Sequence, residues 1–287
     1  MALDLARKGA ALLRERGFSQ ARLEAELLLA GVLGVERLQL YLQFDRPVTQ
    51  AELERYRAFV RRRLKHEPVQ YIVGEAAFRN LRLRVDRRVL IPRPETEVLV
   101  GEVLRWAGGR RGPLHALDLG TGSGAIALSL AREGGMVVVA TDSSAEALEV
   151  ARANAGACPT AEPVTFRQGP LWEPVLPAER FDVVVSNPPY VARADAGGLP
   201  PEVGAWEPPD ALFGGEDGLD VVRGIVTAAP RYLTPGGLLA LEIGETQGGA
   251  VLALLAAGGA WVAPRLIKDL AGRDRVVLAE APLEQRT

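Results

Sequence analysis

Hydrophobic and polar positions change rhythm twice along this chain. From residue 2 to about 66, apolar residues recur at helical spacing, as in Ala21-Arg-Leu-Glu-Ala-Glu-Leu-Leu-Leu-Ala30, and predict amphipathic helices. Ser19 is a candidate N-cap, and Thr49-Gln-Ala-Glu52 fits a capping box opening a helix to about Lys65. Pro68 ends this region. Residues 69–91 then predict a short β-hairpin, with Val69-Gln-Tyr-Ile-Val-Gly74 as one strand and the alternating Leu81-Arg-Leu-Arg-Val85 as the other. From His115 on, short apolar runs alternate with helical patterns, the signature of an α/β doubly wound sheet. Strands are expected near 115–119, 136–141, 164–167, 181–186, 237–243, 261–266 and 275–281. Helices are expected near 95–107, 123–133, 144–155, 219–233 and 246–257. The segment 191–218 is long and rich in Gly, Pro and acid, as lids and binding loops often are.

Composition narrows the class. A chain of 287 residues that is 48% hydrophobic and 24% charged is an ordinary globular one with ample core, in one large domain or two smaller ones. No run of about 18 apolar residues predicts a membrane span. Met1-Ala-Leu-Asp-Leu-Ala-Arg-Lys8 carries charge where a signal peptide needs apolar residues. The single Cys158 excludes an internal disulfide, and His66 and His115 have no metal-ligand spacing, so no metal is expected. A cytoplasmic setting follows, with a monomer as the default. The charge is uneven: residues 1–90 hold 18 Lys and Arg against 11 Asp and Glu, and residues 91–287 hold 16 against 25. The helix after Thr49 carries Arg55, Arg57, Arg61, Arg62, Arg63 and Lys65. A nucleic-acid site is one reading. Only Tyr56 and Phe59 accompany the charges, at core-like spacing, which favours a solvated face that steers an acidic partner.

Two stretches carry candidate chemistry. In Phe181-Asp-Val-Val-Val-Ser-Asn-Pro-Pro-Tyr190, a buried strand runs into a loop stiffened by two prolines. Such a loop leaves the carboxyl edge of the sheet, where ligands bind in open α/β folds. The plain alternative is a rigid turn packing Tyr190 on the core. The functional reading is that the Asn187 carbonyl and a loop carbonyl accept the two N–H groups of an –NH2. The second stretch, Asp118-Leu-Gly-Thr-Gly-Ser-Gly124, is strand, glycine turn and helix. Its spacing differs from the dinucleotide G-x-G-x-x-G. The acid before the glycines disfavours a phosphate and suits the ammonium of a methionine moiety. Asp142 ends the next strand, where an acid binds ribose hydroxyls or caps the helix that Ser143-Ser-Ala-Glu146 would open with a capping box. With Asp118, Gly120, Thr121, Gly122, Ser123, Gly124 and Asp142 together, the reading is an adenosyl cofactor, S-adenosylmethionine before NAD.

With these motifs the sequence resembles the release factor glutamine methyltransferases, the HemK/PrmC family. Further markers are Pro68-Val-Gln-Tyr-Ile-Val-Gly74, Val89-Leu-Ile-Pro-Arg-Pro-Glu-Thr-Glu97, Glu207-Pro208, Gly214-Gly-Glu-Asp-Gly-Leu219, Leu241-Glu-Ile-Gly244 and Lys268-Asp-Leu-Ala-Gly-Arg-Asp-Arg275. The resemblance implies a seven-strand Rossmann-like methyltransferase domain over 92–287, a helical substrate-recognition domain over 1–67 and a connector over 68–91. It implies methylation, from S-adenosylmethionine to S-adenosylhomocysteine, of the glutamine in the Gly-Gly-Gln motif of class I release factors. It further implies that Asn187, Pro188, Pro189 and Tyr190 hold that glutamine, with Asn187 also reaching the cofactor. Leu171 and Trp172 would wall the adenine, while Pro170 stands where the family usually has Asp. Asn-Pro-Pro-Tyr is shared with enzymes that methylate adenine or guanine amino groups. The alternatives are therefore a nucleic-acid amino-methyltransferase or a non-enzymatic binding module with a vestigial pocket. The acidic second half argues against the first, and the intact glycines, Asp142 and Asn187 argue against the second.

Overall fold

The structure, a computed structural model, describes residues 1–283; the last four residues of the region expected over 92–287 lie outside the described residues. The chain divides into two compact units, Met1–Glu75 with Pro200–Trp206, and Ala76–Leu199 with the chain from Glu207 onward.

The first unit is helical: α1 (Ala2–Glu15), α2 (Ala21–Leu33), α3 (Gln39–Leu42), α4 (Gln50–Arg63) and α5 (Val69–Val73). The Thr49–Glu52 capping box forms in full, each side chain meeting the other's backbone N–H. Ser19 is not the cap of α2: Gln20 holds that position, with no side-chain bond. Tyr56 and Val60 face inward and are buried with Leu28, Leu29 and Ile72. The face of α4 is less solvated than its charge suggests. Arg63 is only 4% exposed. It pairs with Glu24 at 2.8 Å and Glu202 at 2.8 Å and lies over the Phe18 ring, because a guanidinium can be buried only when its donors are satisfied. Residues 69–74 are also not a strand. They form α5, closed by Gly74 at φ 88°, with Val69, Tyr71 and Ile72 buried. Five residues are too few for period 2 and period 3.6 to be told apart, and packing on α2 and α4 decides.

The second unit opens with a hairpin of β1 (Glu75–Phe78) and β2 (Leu81–Arg84), then α6 (Pro94–Ala107). The α/β alternation follows as β3 (His115–Leu119), α7 (Ala125–Gly134), β4 (Val137–Asp142), α8 (Ala145–Ala157), β5 (Thr165–Gln168) and β6 (Phe181–Ser186). After the short α9 (Pro201–Gly204) of the first unit come α10 (Asp220–Tyr232), β7 (Leu233–Glu242), α11 (Gly248–Gly258), β8 (Val262–Lys268) and β9 (Asp274–Glu280). These make a seven-stranded sheet of order β5-β4-β3-β6-β7-β9-β8, parallel except for β9.

Each central strand serves two cores. Val183 and Val185 of β6, Leu238 and Ala240 of β7, and Val276 and Leu278 of β9 join the α6/α7 side. Val184, Leu239, Leu241 and Val277 join the α10/α11 side. With both faces covered, the strands read as continuous apolar runs without polar alternation.

Candidate active site

Strand register assembles the site. Leu119 pairs with Thr141 on one side and Ser186 on the other, and Ser186 pairs in turn with Leu241. The next residue on each strand, Gly120, Asp142, Asn187 and Glu242, therefore emerges at one carboxyl edge. Strands leave β3 in opposite directions here, which is the switch point where open α/β sheets hold ligands.

The glycine turn is built locally. Gly120 and Gly122 have φ of 74° and 53°, conformations that L side chains rarely adopt. The N–H groups of Gly120 and Thr121 both donate to the Thr141 carbonyl, at 2.9 Å each. Gly122 N–H donates to Asp142 Oδ2 at 2.8 Å, and Ser144 N–H donates to Asp142 Oδ1 at 2.9 Å. Asp142 thus ties the turn to the start of α8, and burial raises its pKa. The cap of α8 is the Ser144 side chain, which accepts from Ala147 N–H, so the expected capping box of Ser143 with Glu146 does not form: the helix starts one residue later, and its third position is Ala147, which has no carboxylate to reach back. The Ser123 carbonyl accepts from Asn154 at 2.8 Å. Asp118 is fully buried beneath the turn. Its Oδ2 accepts from the Thr121 hydroxyl at 2.7 Å and Ala127 N–H at 3.2 Å. Its Oδ1 has no hydrogen-bond partner among the described residues. Burial, opposed by those two bonds, pushes its carboxyl up to about 7.

The Asn187 loop is built from afar. Ser186 donates to the Leu119 carbonyl at 2.6 Å, fixing the strand end. Asn187 Nδ2 donates to Thr96 Oγ1 at 3.1 Å, and that hydroxyl donates to Glu242 Oε2 at 2.6 Å. Thr96 and Glu242 are both buried, Glu242 completely. Burial pushes the Glu242 carboxyl up to about 7, against the bond from Thr96 and the charge of Arg275. The Tyr190 hydroxyl lies 3.5 Å from Glu242 Oε1, and burial pushes it up to about 12. Gln247 clamps the loop backbone, donating to the carbonyls of Tyr190 at 3.0 Å and Gly218 at 3.3 Å. Gly214 and Gly218 lie flat on the same loop: a Cβ on them would stand 2.3 Å from the Pro189 carbonyl oxygen and 2.2 Å from that of Tyr190. The segment 191–218 is therefore partly an ordered brace, with short turns at Arg193–Gly198 and Pro209–Ala211 and a bridge between Val191 and Phe213.

The arrangement brings Gly120–Gly124, Asp142 and Asn187–Tyr190 to one edge. Trp172 is more committed to the protein: its ring stacks on Tyr232 at 4.8 Å and its N–H donates to the Gly224 carbonyl. Leu171, at φ 44°, packs beside it over α10. Sequence reasoning missed Thr96, Glu242, Gln247, Gly214 and Gly218 as site residues. The stretches containing Thr96, Glu242 and the two glycines were visible as motifs, but no local rule ties them to Asn187. The Arg between two prolines also finds its reason, since Arg93 donates to the buried Glu207. Among the described residues no group of three His, Cys, Asp or Glu could hold a metal ion, and no helix is long and apolar enough to cross a membrane.

Known proteins match both parts of the chain. Residues 4–74 match the PrmC N-terminal domain and residues 102–198 the methyltransferase small domain. A methyltransferase from Pyrococcus furiosus shares the fold, with a TM-score of 0.53 at 22% identity over 71% of this chain and 90% of that one. The release factor glutamine methyltransferase of Geobacter sulfurreducens is 46% identical over 92% of this chain and 91% of its own. That of Gloeobacter violaceus is 42% identical over 93% and 96%. At this identity over nearly the whole length, the chain belongs to the release factor glutamine methyltransferase family.

Proposed function

We propose that this enzyme transfers the methyl group of S-adenosylmethionine to the side-chain amide nitrogen of the Gly-Gly-Gln glutamine in class I peptide-chain release factors. The observation that carries the reading is the register that sets Asn187 beside the glycine turn and Asp142 at one sheet edge. Three features support the cofactor. The buried Asp118 carboxyl lies under the turn with its Oδ1 unpartnered among the described residues, and an ammonium above it would favour its charged form. Gly120 has no protein atom within 4 Å of where a Cβ would stand, room for a ligand's close approach. Asp142 keeps free lone pairs beyond its two backbone bonds for ribose hydroxyls. Gly120 to Gly124 would cradle the amino-acid part, and Leu171 and Trp172 would line the adenine side.

Bound there, S-adenosylmethionine supplies a methyl already activated by its sulfonium. The protein's task is to orient a poor nucleophile and exclude water. Asn187 Oδ1 and the Pro188 carbonyl each accept one N–H of the glutamine amide. The nitrogen lone pair then points at the methyl as the amide loses planarity. Tyr190 packs against the amide plane, and Pro189 keeps the loop stiff. One N–H proton leaves to solvent after the N–C bond forms, and S-adenosylhomocysteine is the product. The helical unit, residues 1–75 with 200–206, recognises the release factor body, and the enzyme works as a cytoplasmic monomer.

The test is incubation with methyl-labelled S-adenosylmethionine and three acceptors: a release factor, its Gln→Ala variant in Gly-Gly-Gln, and ribosomal RNA. Label on the intact factor alone is expected. Label on RNA and none on the factor would overturn the substrate and favour the amino-methyltransferase reading.

A further inference from the structure

We propose that Thr96 and Glu242 are positioning residues that set which end of the Asn187 amide faces the substrate. This rests on the reading of Asn187 as the acceptor for the glutamine N–H. An Asn amide is nearly symmetric in shape but opposite in polarity at its two ends. Only the Oδ1 end can receive an –NH2; the Nδ2 end would meet it donor to donor. Something must therefore choose between two orientations that differ by a half turn.

The chosen orientation is written into hydrogen-bond polarity. A carboxylate has no proton to give. Glu242 therefore accepts from the Thr96 hydroxyl, at 2.6 Å. That hydroxyl's proton is spent, so it presents a lone pair to Asn187, which gives Nδ2–H at 3.1 Å. A half turn of the amide would set Oδ1 against a Thr96 oxygen with no proton to offer. The chain of three groups spans α6, β6 and β7. Register holds the two ends side by side, since Ser186 pairs with Leu241 one residue before each. A buried carboxylate is costly where it only fills space, and an apolar side chain would pack β7 against α6 without that cost.

Protonation should relax the choice. The groups facing Glu242 are Thr96 and Glu95 from α6, Tyr190 from the loop and Arg275 from β9. Burial outweighs Arg275 and holds the carboxyl near 7. Below that, Glu242 carries a proton it can donate to Thr96. The Thr96 hydroxyl is then free to donate toward Asn187, which stabilises the flipped amide. The rate falls as pH drops through about 7 and is full above it.

The test is steady-state kinetics on a release factor from pH 6 to 9 for wild type, T96V, T96S, E242Q and N187A. Cofactor affinity by calorimetry and thermal melts accompany each. T96V is expected to lose about 10- to 100-fold in kcat, with cofactor affinity and KM within about twofold. T96S, which keeps the hydroxyl, should restore most of the rate. E242Q should lose the acid limb of the profile. Wild-type kcat in T96V, or T96S as slow as T96V, overturns the relay. If T96V does not fold, an acid limb retained in E242Q overturns it instead. N187A separates the two readings: normal turnover by N187A sinks the Asn187 role itself, whereas a slow N187A beside a fast T96V sinks only the relay.

Discussion

The two sides of the crevice are built in opposite ways. The glycine-turn side comes from one continuous stretch, residues 118–144, whose contacts are mostly backbone bonds and short-range side-chain caps. The Asn187 side borrows its supports from the whole second unit, with Thr96 and Glu242 separated by 146 positions. A site made of one stretch tolerates change elsewhere and is visible in a motif. A site made of distant supports is sensitive to changes far from the chemistry, because each support orients a group that must be placed within a fraction of an ångström.

That contrast can be broken first at its centre. Asn187→Ala should lower kcat about 100-fold or more, the scale for one transition-state hydrogen bond, while cofactor affinity stays near normal. A parallel loss of cofactor binding in calorimetry would merge the two sides into one. Asp142→Ala should do the reverse, weakening cofactor binding about 10- to 100-fold, as expected for hydrogen bonds to a charged group; saturating cofactor should recover most of kcat. Two glycines sharpen the division further. Gly218→Ala drives a Cβ to 2.2 Å from the Tyr190 carbonyl oxygen, so the loop must shift, and kcat should fall about tenfold for displacement of this order. Gly120→Ala meets no atom within 4 Å beyond its chain neighbours but puts an L side chain at φ 74°, so the turn is strained, and its effect should appear in cofactor affinity and in Tm while kcat at saturating cofactor changes less.

The smallest effect concerns stability. The Glu242 carboxyl is raised to about 7 in the folded protein, above its ordinary 4.5. The folded state therefore holds that proton more tightly than the unfolded one. Its contribution is fully present below about pH 4.5 and is lost as pH rises through 7. Glu242→Gln should thus gain in Tm relative to wild type between pH 5.5 and 8 in melts without cofactor. A Tm difference that stays flat across that range would show that Glu242 does not titrate there.

Much of this was legible in one dimension. The Val183–Val185 run, the glycine turn and the alternation after His115 place the strands and the Asn187 loop because each rule is local: period, turn chemistry and apolar run length. The same locality explains the misses. Val69–Val73 has too few residues to show its period, so burial against α2 and α4 chose a helix. Arg63 looked like one of six cations on a wet face. Its pairing with Glu24, 39 positions away, and Glu202, 139 away, took it out of water.

The amino-acid sequence alone determined the family, the sheet, the glycine turn and the stiff Asn187–Tyr190 loop. These depend on residues that act on their neighbours in the chain. Only the tertiary structure decided how that loop is held: Thr96 and Glu242 under Asn187, Gln247 on the Tyr190 carbonyl, Gly214 and Gly218 against the loop backbone. The reason is strand register. It sets Leu241 beside Ser186 and so brings a buried acid beside an amide 55 positions away, a juxtaposition that no spacing in the sequence encodes.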